Sequence, residues 1–213
     1  MKDNVFFVSG IDTNVGKSYA TGYLAKTWNE QGVRTITQKF IQTGNVGMSE
    51  DIELHRKIMG TGLLPEDESG LTMPEIFTYP CSPHLAAEID HRPIDFDKIE
   101  KATRQLSETY DAVLLEGAGG LMVPLTRDLL TIDYVAQKNY PLIFVTSGKL
   151  GSINHTLLSL EAVTRRGIRL HTVAYNFFPE EDDDIIRRDT EAYIRDLLAK
   201  EYPETHFVVI PKL

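Results

Sequence analysis

The residues best suited to chemistry lie in a glycine-bounded loop near the start of the chain. Residues 5–9 form a mostly apolar run that stops at Gly10, and five residues then separate Gly10 from Gly16-Lys17-Ser18. A helical pattern follows, so this stretch predicts a strand, a phosphate-binding loop and a helix N-terminus. In such a loop the backbone amides and Lys17 bind phosphates, and Ser18 binds magnesium. The usual pattern has four residues between its glycines, so this loop is one residue longer.

An acidic residue ends the most apolar strand of the chain. Residues 112–115, Ala-Val-Leu-Leu, are followed by Glu116 and then by the glycine-rich residues 117–120. A continuous apolar run is expected for a central parallel strand covered on both faces. Because an unpaired buried carboxylate is costly, Glu116 is predicted to be a metal ligand facing the phosphate loop.

Two further candidates come between these motifs. Lys39 ends a predicted strand over 34–40, and the carboxyl ends of parallel strands share one edge of a sheet, so Lys39 is expected beside the loop. With Thr43 in the following turn, a role in the site and an ordinary solvated lysine are equally open. Asp51 lies in the first turn of a helix capped by Ser49. The residue pattern favours a helix-dipole carboxylate there over a second metal contact.

The later part of the chain offers weaker signals. Residues 61–83 are rich in turn-forming residues and are predicted to be a long functional loop. The turn over 147–155 opens a helix and is either a second anion site or an ordinary connection. Asn176 ends another predicted strand, where its amide either contacts a base or shapes the turn over 177–179. The acidic run 180–184 is predicted to start a helix.

Helical patterns and buried strands alternate along the 213 residues. This predicts one α/β domain over residues 1–213, a three-layer P-loop NTPase-like fold with a mostly parallel central sheet flanked by helices. The net charge of −9 and the pI of about 5.2 argue against non-specific binding to nucleic acid or to anionic membranes. The single cysteine, Cys81, fits a reducing cytosol, and neither a signal peptide nor a membrane span is expected.

Taken together, the motifs resemble those of the dethiobiotin synthetase family. The resemblance covers the whole chain and rests on the five-residue gap before Gly16-Lys17-Ser18, Lys39…Thr43-Gly44, Ser82-Pro83-His84, Glu116-Gly117-Ala118-Gly119-Gly120 with Pro124-Leu125, and Gly151-Ser152-Ile153-Asn154-His155. It implies a homodimeric, magnesium-dependent cytoplasmic enzyme of biotin synthesis. The expected reaction carboxylates 7,8-diaminopelargonic acid with CO2 and uses ATP to close the ureido ring, through a carbamate and a carbamic–phosphoric anhydride.

The resemblance also implies roles for individual residues. Lys17 and Lys39 are expected to be catalytic. Magnesium is expected on Ser18, Asp51 and Glu116. Nucleotide contacts are expected from Asp12, Thr13, Asn14, Val15, Gly16, Lys17, Ser18, Tyr19, Glu116, Asn176 and Pro211. Substrate contacts are expected from Thr43, Pro83 and, donated by the other subunit, Gly151, Ser152 and Asn154. The chain departs from the family pattern in having Asn14 instead of an acid, Phe40 instead of a proline and Thr43 instead of a serine.

Three other functions are compatible with a phosphate loop. A P-loop switch or partitioning ATPase often carries an extra lysine early in the loop, where this chain has Ser9-Gly10-Ile11. An amide-forming ligase of the cobyrinic-acid type usually has a glutamine-hydrolysing domain with a nucleophilic cysteine, which 213 residues are not expected to accommodate. A nucleotide-binding module without chemistry stays open on the sequence alone.

Overall fold

Strands and helices alternate along the computed structural model, which describes residues 4–177 and 183–212. In chain order the elements are β1 (Val5–Gly10), α1 (Lys17–Glu30), β2 (Thr35–Lys39), β3 (Gln42–Thr43), α2 (Glu50–Met59), α3 (Pro65–Glu68), β4 (Ile76–Phe77), α4 (Pro83–Ile89), α5 (Phe96–Thr109), β5 (Ala112–Glu116), α6 (Thr131–Lys138), β6 (Leu142–Ser147), α7 (Ser152–Arg165), β7 (Leu170–Asn176), α8 (Asp184–Glu201) and β8 (His206–Ile210). The predicted α/β alternation is confirmed.

Six parallel strands form the central sheet in the order β2-β5-β1-β6-β7-β8. Strand β5 therefore lies between β1 and β2, the two strands that the first helix connects. Lys39 is the register partner of Glu116 across β2 and β5, and Val8 is the partner of Glu116 across β1 and β5. This strand order brings the phosphate loop, Glu116 and Lys39 to one edge of the sheet, which confirms the position predicted from their places at the ends of strands.

Successive residues of the central strands belong to two different cores because side chains alternate along a strand. Phe7 and Leu115 pack in the core shared with α5, α6, α7 and α8. Val8 and Leu114 pack in the core shared with α1. Helix α2 packs against α1 and β2, so helices cover both faces of the sheet. The structure is the predicted three-layer arrangement.

The segment 61–83 contains more regular structure than predicted. It forms the short helix α3 and the strand β4, which pairs in parallel with β3. The amide of Gly44 donates to Phe77 O at 2.9 Å, and Gly44 has φ +83, where a Cβ would lie 2.8 Å from Pro80 Cβ. The expectation of one long loop is therefore wrong in its secondary structure, and the segment is tied to the chain that follows Lys39.

Two predictions concern helix ends and the residues around them. Ser49 caps α2 as predicted, since its Oγ accepts from the amide of Ile52 at 3.2 Å. The predicted turn over 177–179 and the acidic run 180–184 fall largely outside the described residues. Among the described helices, none has both the length and the apolar character that crossing a membrane requires.

Candidate active site

The phosphate loop joins β1 to α1 through two residues in the left-handed region. These are Asn14, with φ +61, and Gly16, with φ +88, which directly precedes α1. At the end of β1, a Cβ on Gly10 would lie 2.7 Å from Val15 Cγ1 and 2.9 Å from Val145 O. The close backbone approach thus requires glycine at position 10. The N-terminal turn of α1 follows at once, and such a turn favours an anion.

Lys17 is the first residue of α1 and is almost fully buried. Its Nζ donates to Asp12 O at 3.0 Å, which draws the side chain back across the loop. Burial lowers the pKa of Lys17 to about 8, although the carboxylates of Glu116 and Asp51 act in the opposite direction. The nearby carboxylates do not fully offset the cost of burying this ammonium group, so a bound anion would stabilise its charged form.

A cleft of about 420 Å³ opens where the loop meets the carboxyl edge of the sheet. The predicted site residues that line this cleft are Thr13, Asn14, Gly16, Lys17, Ser18, Tyr19, Lys39, Thr43, Asp51 and Glu116. Both lysines and all three predicted metal ligands therefore lie around one cavity. Lys39 is buried and is therefore not the solvated lysine that its sequence position left open, whereas Asp51 lies in the first turn of α2 and also lines this cavity.

Three oxygen donors meet in the cleft. Ser18 Oγ lies 2.6 Å from Asp51 Oδ1 and 2.9 Å from Glu116 Oε1. Hydroxyl and carboxylate oxygens suit Mg²⁺, which commonly takes one or two carboxylates and completes its shell with phosphates and waters. Within residues 4–177 and 183–212, no group of three or more His, Cys, Asp or Glu side chains can hold a metal ion. The donor set fits a magnesium ion shared with a polyphosphate.

Lys39 pairs with both carboxylates of this set. Its Nζ lies 2.8 Å from Glu116 Oε1, contacts Asp51 Oδ2, and donates to Gly117 O at 3.3 Å. Burial acts to lower the pKa of Lys39, but Glu116 and Asp51 outweigh it and raise the pKa above its ordinary value. Lys39 is therefore a fixed positive charge at the end of β2.

Glu116 is fully buried and uses its two oxygens differently. Oε1 faces Ser18 and Lys39, whereas Oε2 lies 2.8 Å from His55 Nε2. Burial acts to raise the pKa of Glu116, but Lys39 and His55 hold it well below its usual value. Glu116 is therefore a carboxylate, as a metal ligand must be, and His55 is a partner that the sequence analysis did not identify.

A second group of buried side chains continues behind His55. His55 Nδ1 lies 3.0 Å from Thr37 Oγ1, which accepts from Arg56 Nη1 at 2.8 Å. Arg56 Nε and Nη2 each donate to one oxygen of Asp67 at 2.8 Å. Thr72 Oγ1 donates to Asp67 Oδ1 at 2.6 Å. The amide of Lys39 in turn donates to Thr72 O at 2.7 Å, so the segment after α2 braces the lysine strand as well.

The sequence did carry a signal for these missed residues. Ile52, His55 and Arg56 are the buried residues of α2 and have the i, i+3, i+4 spacing of one helix face. A histidine and an arginine on an apolar face require buried partners. Thr37 and Lys39 alternate on β2 and so lie on the same face of the sheet. The sequence therefore signals that His55 and Arg56 have buried polar partners, without specifying which residues these are.

The remaining predicted substrate residues lie outside this cleft. Pro83 begins α4, which packs against β3 and β4, close to the Thr43 end of the small sheet. Gly151, with φ +95, precedes α7, and both Gly151 and Asn154 are exposed. Ser152 is buried, with its Oγ 3.0 Å from Ser147 Oγ. In the isolated chain the start of α7 is thus a separate, exposed helix N-terminus.

The predicted nucleotide contacts on the far strands lie behind the loop. Asn176 is buried, and its Nδ2 donates to Val15 O at 2.9 Å. Pro211 follows Ile210, the register partner of Asn176 on β8. Asp12 and Val15 belong to the loop without lining the cleft. One amide hydrogen of Asn176 thus supports the loop backbone.

Comparisons with known proteins agree with the motifs. A family model described as an AAA domain matches residues 4–213. ATP-dependent dethiobiotin synthetase BioD 2 of Pasteurella multocida strain Pm70 is 52% identical over 206 residues, which covers 97% of this chain and 96% of that protein. ATP-dependent dethiobiotin synthetase BioD 2 of Haemophilus influenzae is 57% identical over 184 residues, covering 86% of this chain and 96% of that protein.

Solved structures match at much lower identity. The pNOB8 ParA protein bound to nonspecific DNA gives a TM-score of 0.55 at 14% identity, covering 99% of this chain and 81% of that one. Chloroplast FtsY from Physcomitrella patens gives a TM-score of 0.55 at 15% identity, and the chain spans 60% of that structure. At these identities the likeness concerns the P-loop fold alone.

Proposed function

The chain belongs to the ATP-dependent dethiobiotin synthetase family, an enzyme family of biotin biosynthesis, and we propose that it converts 7,8-diaminopelargonic acid, CO2 and ATP to dethiobiotin, ADP and phosphate. The observation that carries this proposal is the meeting of Lys17 and Lys39 at one cleft with the three oxygen donors Ser18, Asp51 and Glu116. Two cations in such a cleft suit a reaction between two anions.

The proposed chemistry begins with attack of one substrate amine on CO2, which gives a carbamate after loss of a proton. A carbamate oxygen then attacks the γ-phosphorus of ATP, the bond to ADP breaks, and a carbamic–phosphoric anhydride forms. The second amine attacks the carbonyl carbon and loses a proton, the bond from that carbon to the phosphate oxygen breaks, phosphate leaves, and the ureido ring closes. Lys17 and Lys39 reduce the repulsion between carbamate and γ-phosphate and stabilise charge during the transfer. The protein supplies no nucleophile, so positioning and electrostatics provide the rate.

We assign the phosphates to the loop residues Asp12 to Tyr19 and the adenine to the side of Asn176 and Pro211. This assignment is supported by the hydrogen bond from Asn176 to Val15 O, which connects the end of β7 to the loop backbone. Glu116 lines the cleft on the other side of the loop, at the end of β5. The order of groups along the sheet edge then matches the order of groups in ATP.

Ser18, Asp51 and Glu116 are the residues we propose to hold magnesium. When bound there, the ion would neutralise charge on the terminal phosphates of the nucleotide. The proposed role of Lys39 requires its ammonium to move from Glu116 towards the carbamate and the γ-phosphate. The unbranched lysine side chain permits that movement, and the pairing with Asp51 and Glu116 keeps the ammonium charged beforehand.

The substrate's carboxylate is assigned to the partner subunit of a homodimer, at Gly151, Ser152 and Asn154. The exposed N-terminus of α7 suits a carboxylate, and it lies outside the cleft of its own chain. Thr43 and Pro83 are assigned to the diamine end. We place the enzyme in the cytoplasm, where ATP is available.

The deciding experiment measures phosphate release from ATP together with dethiobiotin formation, with magnesium and bicarbonate and with or without 7,8-diaminopelargonic acid. We expect phosphate and dethiobiotin in equal amounts, both dependent on the diamine. The Lys39→Ala variant should lose turnover, whereas Lys101→Ala, which alters an exposed lysine on α5, should keep it. Phosphate release without the diamine and without dethiobiotin would overturn the synthetase proposal in favour of an ATPase of the switch or partitioning type.

A further inference from the structure

A series of buried hydrogen bonds leads from Arg56 to Glu116 Oε2, the oxygen that faces away from Ser18 and Lys39. It starts at Arg56, a side chain with five N–H donors and no acceptor. Two of its nitrogens pair with Asp67, and Nη1 donates to Thr37 Oγ1 at 2.8 Å. Arg56, Thr37 and Asp67 are almost fully withdrawn from solvent, so water does not compete for these contacts. The hydroxyl of Thr37 is therefore an acceptor towards Arg56.

The direction of the Thr37 hydroxyl fixes the state of His55. The hydroxyl has one proton, Arg56 cannot accept it, and His55 Nδ1 at 3.0 Å is the neighbour in the described structure that can, so we direct the proton to Nδ1. An imidazole that accepts at Nδ1 carries its ring proton on Nε2, and that nitrogen then donates to Glu116 Oε2 at 2.8 Å. With this assignment each hydrogen bond from Arg56 through Thr37 and His55 to Glu116 has one donor and one acceptor.

We propose that His55 is a positioning residue that holds Glu116 Oε2 and thereby turns Oε1 towards Ser18 and Lys39. The inference rests on the proposed function, in which Glu116 is a magnesium ligand. A carboxylate held at both oxygens cannot rotate, and partners of this kind around metal ligands are typically worth about 10- to 100-fold in metal affinity. Thr37, Arg56 and Asp67 set the tautomer of His55 and touch neither the metal ligands nor the cleft.

The packing of α2 on α1 supports this role. A Cβ at Gly22 of α1 would lie 3.1 Å from Ile58 Cβ and 3.3 Å from the Cα of His55. The absence of a side chain at Gly22 lets α2 come close enough to place His55 against Glu116. His55 itself has no solvent exposure, so the contact is not a surface arrangement.

The first test compares His55→Leu with His55→Gln. Leucine fills the space without a donor, whereas the glutamine amide can donate to Glu116 Oε2. With Mn²⁺ as the probe, binding of the Mn²⁺–ADP complex is followed by electron paramagnetic resonance. We expect His55→Leu to need about 10- to 100-fold more Mn²⁺ for half-saturation, and His55→Gln to recover most of that loss. Leu106→Ala, an equally buried change on α5, should reduce thermal stability and leave the Mn²⁺ midpoint unchanged.

The second test reads the tautomer of His55 directly by ¹⁵N NMR of histidine-labelled protein without metal or nucleotide. We expect the Nε2–H form in the wild type and loss of that preference in Thr37→Val. An Nδ1–H or doubly protonated ring in the wild type would overturn the inference, as would a His55→Leu protein with the wild-type Mn²⁺ midpoint. If the wild type itself binds ADP without any metal dependence, the metal role of Glu116 fails, and the inference fails with it whatever the tautomer.

Discussion

Lys39 Nζ lies 2.8 Å from Glu116 Oε1, and the two residues are register partners on the adjacent strands β2 and β5. Their side chains are 6% and 0% exposed, so the pair is shielded from solvent. Asp51 contacts the same ammonium from α2. A metal ion that binds Asp51 and Glu116 must therefore compete with the Lys39 ammonium. Removing that ammonium should then have opposite effects on metal binding and on turnover.

Replacing Lys39 by Met should separate these two properties. Turnover should fall by about 100- to 1,000-fold, because the variant lacks the cation that we propose to face the transferring phosphoryl group. Binding of Mn²⁺–ADP should become tighter, because Asp51 and Glu116 lose the ammonium that competes for them. Phosphate release and Mn²⁺ titration measure the two effects, and Lys101→Met serves as the exposed control. Unchanged turnover would remove Lys39 from the mechanism.

The Glu116→Gln variant should move metal binding in the other direction. An amide oxygen is a weaker magnesium ligand than a carboxylate, so the magnesium concentration for half-maximal activity should rise by about 10-fold or more. Glu53→Gln, an exposed change on α2, should leave the requirement unaltered. A magnesium titration of Glu116→Gln that overlays the wild type would count against the ligand role.

The edge of the sheet was predictable from the sequence because it depends on local patterns. Glu116 ends an apolar strand and Lys39 ends the mixed strand Thr-Ile-Thr-Gln-Lys, and parallel strands place such ends together. The sequence shows that His55 and Arg56 lie on a buried helix face, but it does not show their partners, since His55 meets Glu116 across 61 positions and no local pattern sets that pairing. The strand β4 was not predicted because a strand of two residues is too short to show an alternating pattern. The residues at this edge of the sheet were therefore predicted from the sequence, whereas the residues that pack behind them were found in the structure.

The Asp67→Asn substitution should cost about 3 kcal/mol of unfolding free energy, because it leaves the buried guanidinium of Arg56 without its counter-charge. The pair Arg34–Asp111 offers a matched control, since it has similar two-point geometry in an exposed setting. Asp111→Asn should change stability far less, because water replaces the lost interaction. Urea unfolding of both variants checks the comparison. Equal losses of unfolding free energy would show that burial does not make the Arg56–Asp67 pair more important to stability than the exposed pair.

His171 should make the protein less stable as the pH falls. Burial among Phe6 and Trp28, together with the neighbouring His206 and Arg169, lowers the pKa of His171 from 6.5 to about 4. In the unfolded chain His171 is therefore protonated below about pH 6.5, whereas in the folded protein it is protonated only below about pH 4. The stability contributed by His171 should decline through that window, by about 2 kcal/mol after discounting for partial solvent access, and should change no further below it.

The His171→Phe variant provides the control for this pH effect. It keeps an aromatic ring beside Phe6 and removes the titrating group. The difference in unfolding free energy between variant and wild type, measured by urea at several pH values, should grow in favour of the variant between pH 6.5 and pH 4. Parallel pH profiles for the two proteins would show that His171 does not contribute.

Sharing of the substrate site between subunits should be visible when two inactive variants are mixed. Lys17→Ala removes a cation from the cleft, and Asn154→Ala removes a contact at the exposed start of α7. If each site takes Lys17 from one subunit and Asn154 from the other, a mixed dimer contains one intact site and one doubly altered site. An equal mixture after subunit exchange should then regain about a quarter of wild-type turnover, provided that each variant alone is inactive. Mass spectrometry of differently tagged subunits verifies the mixing. Confirmed mixed dimers without activity would place both residues in the same subunit's site.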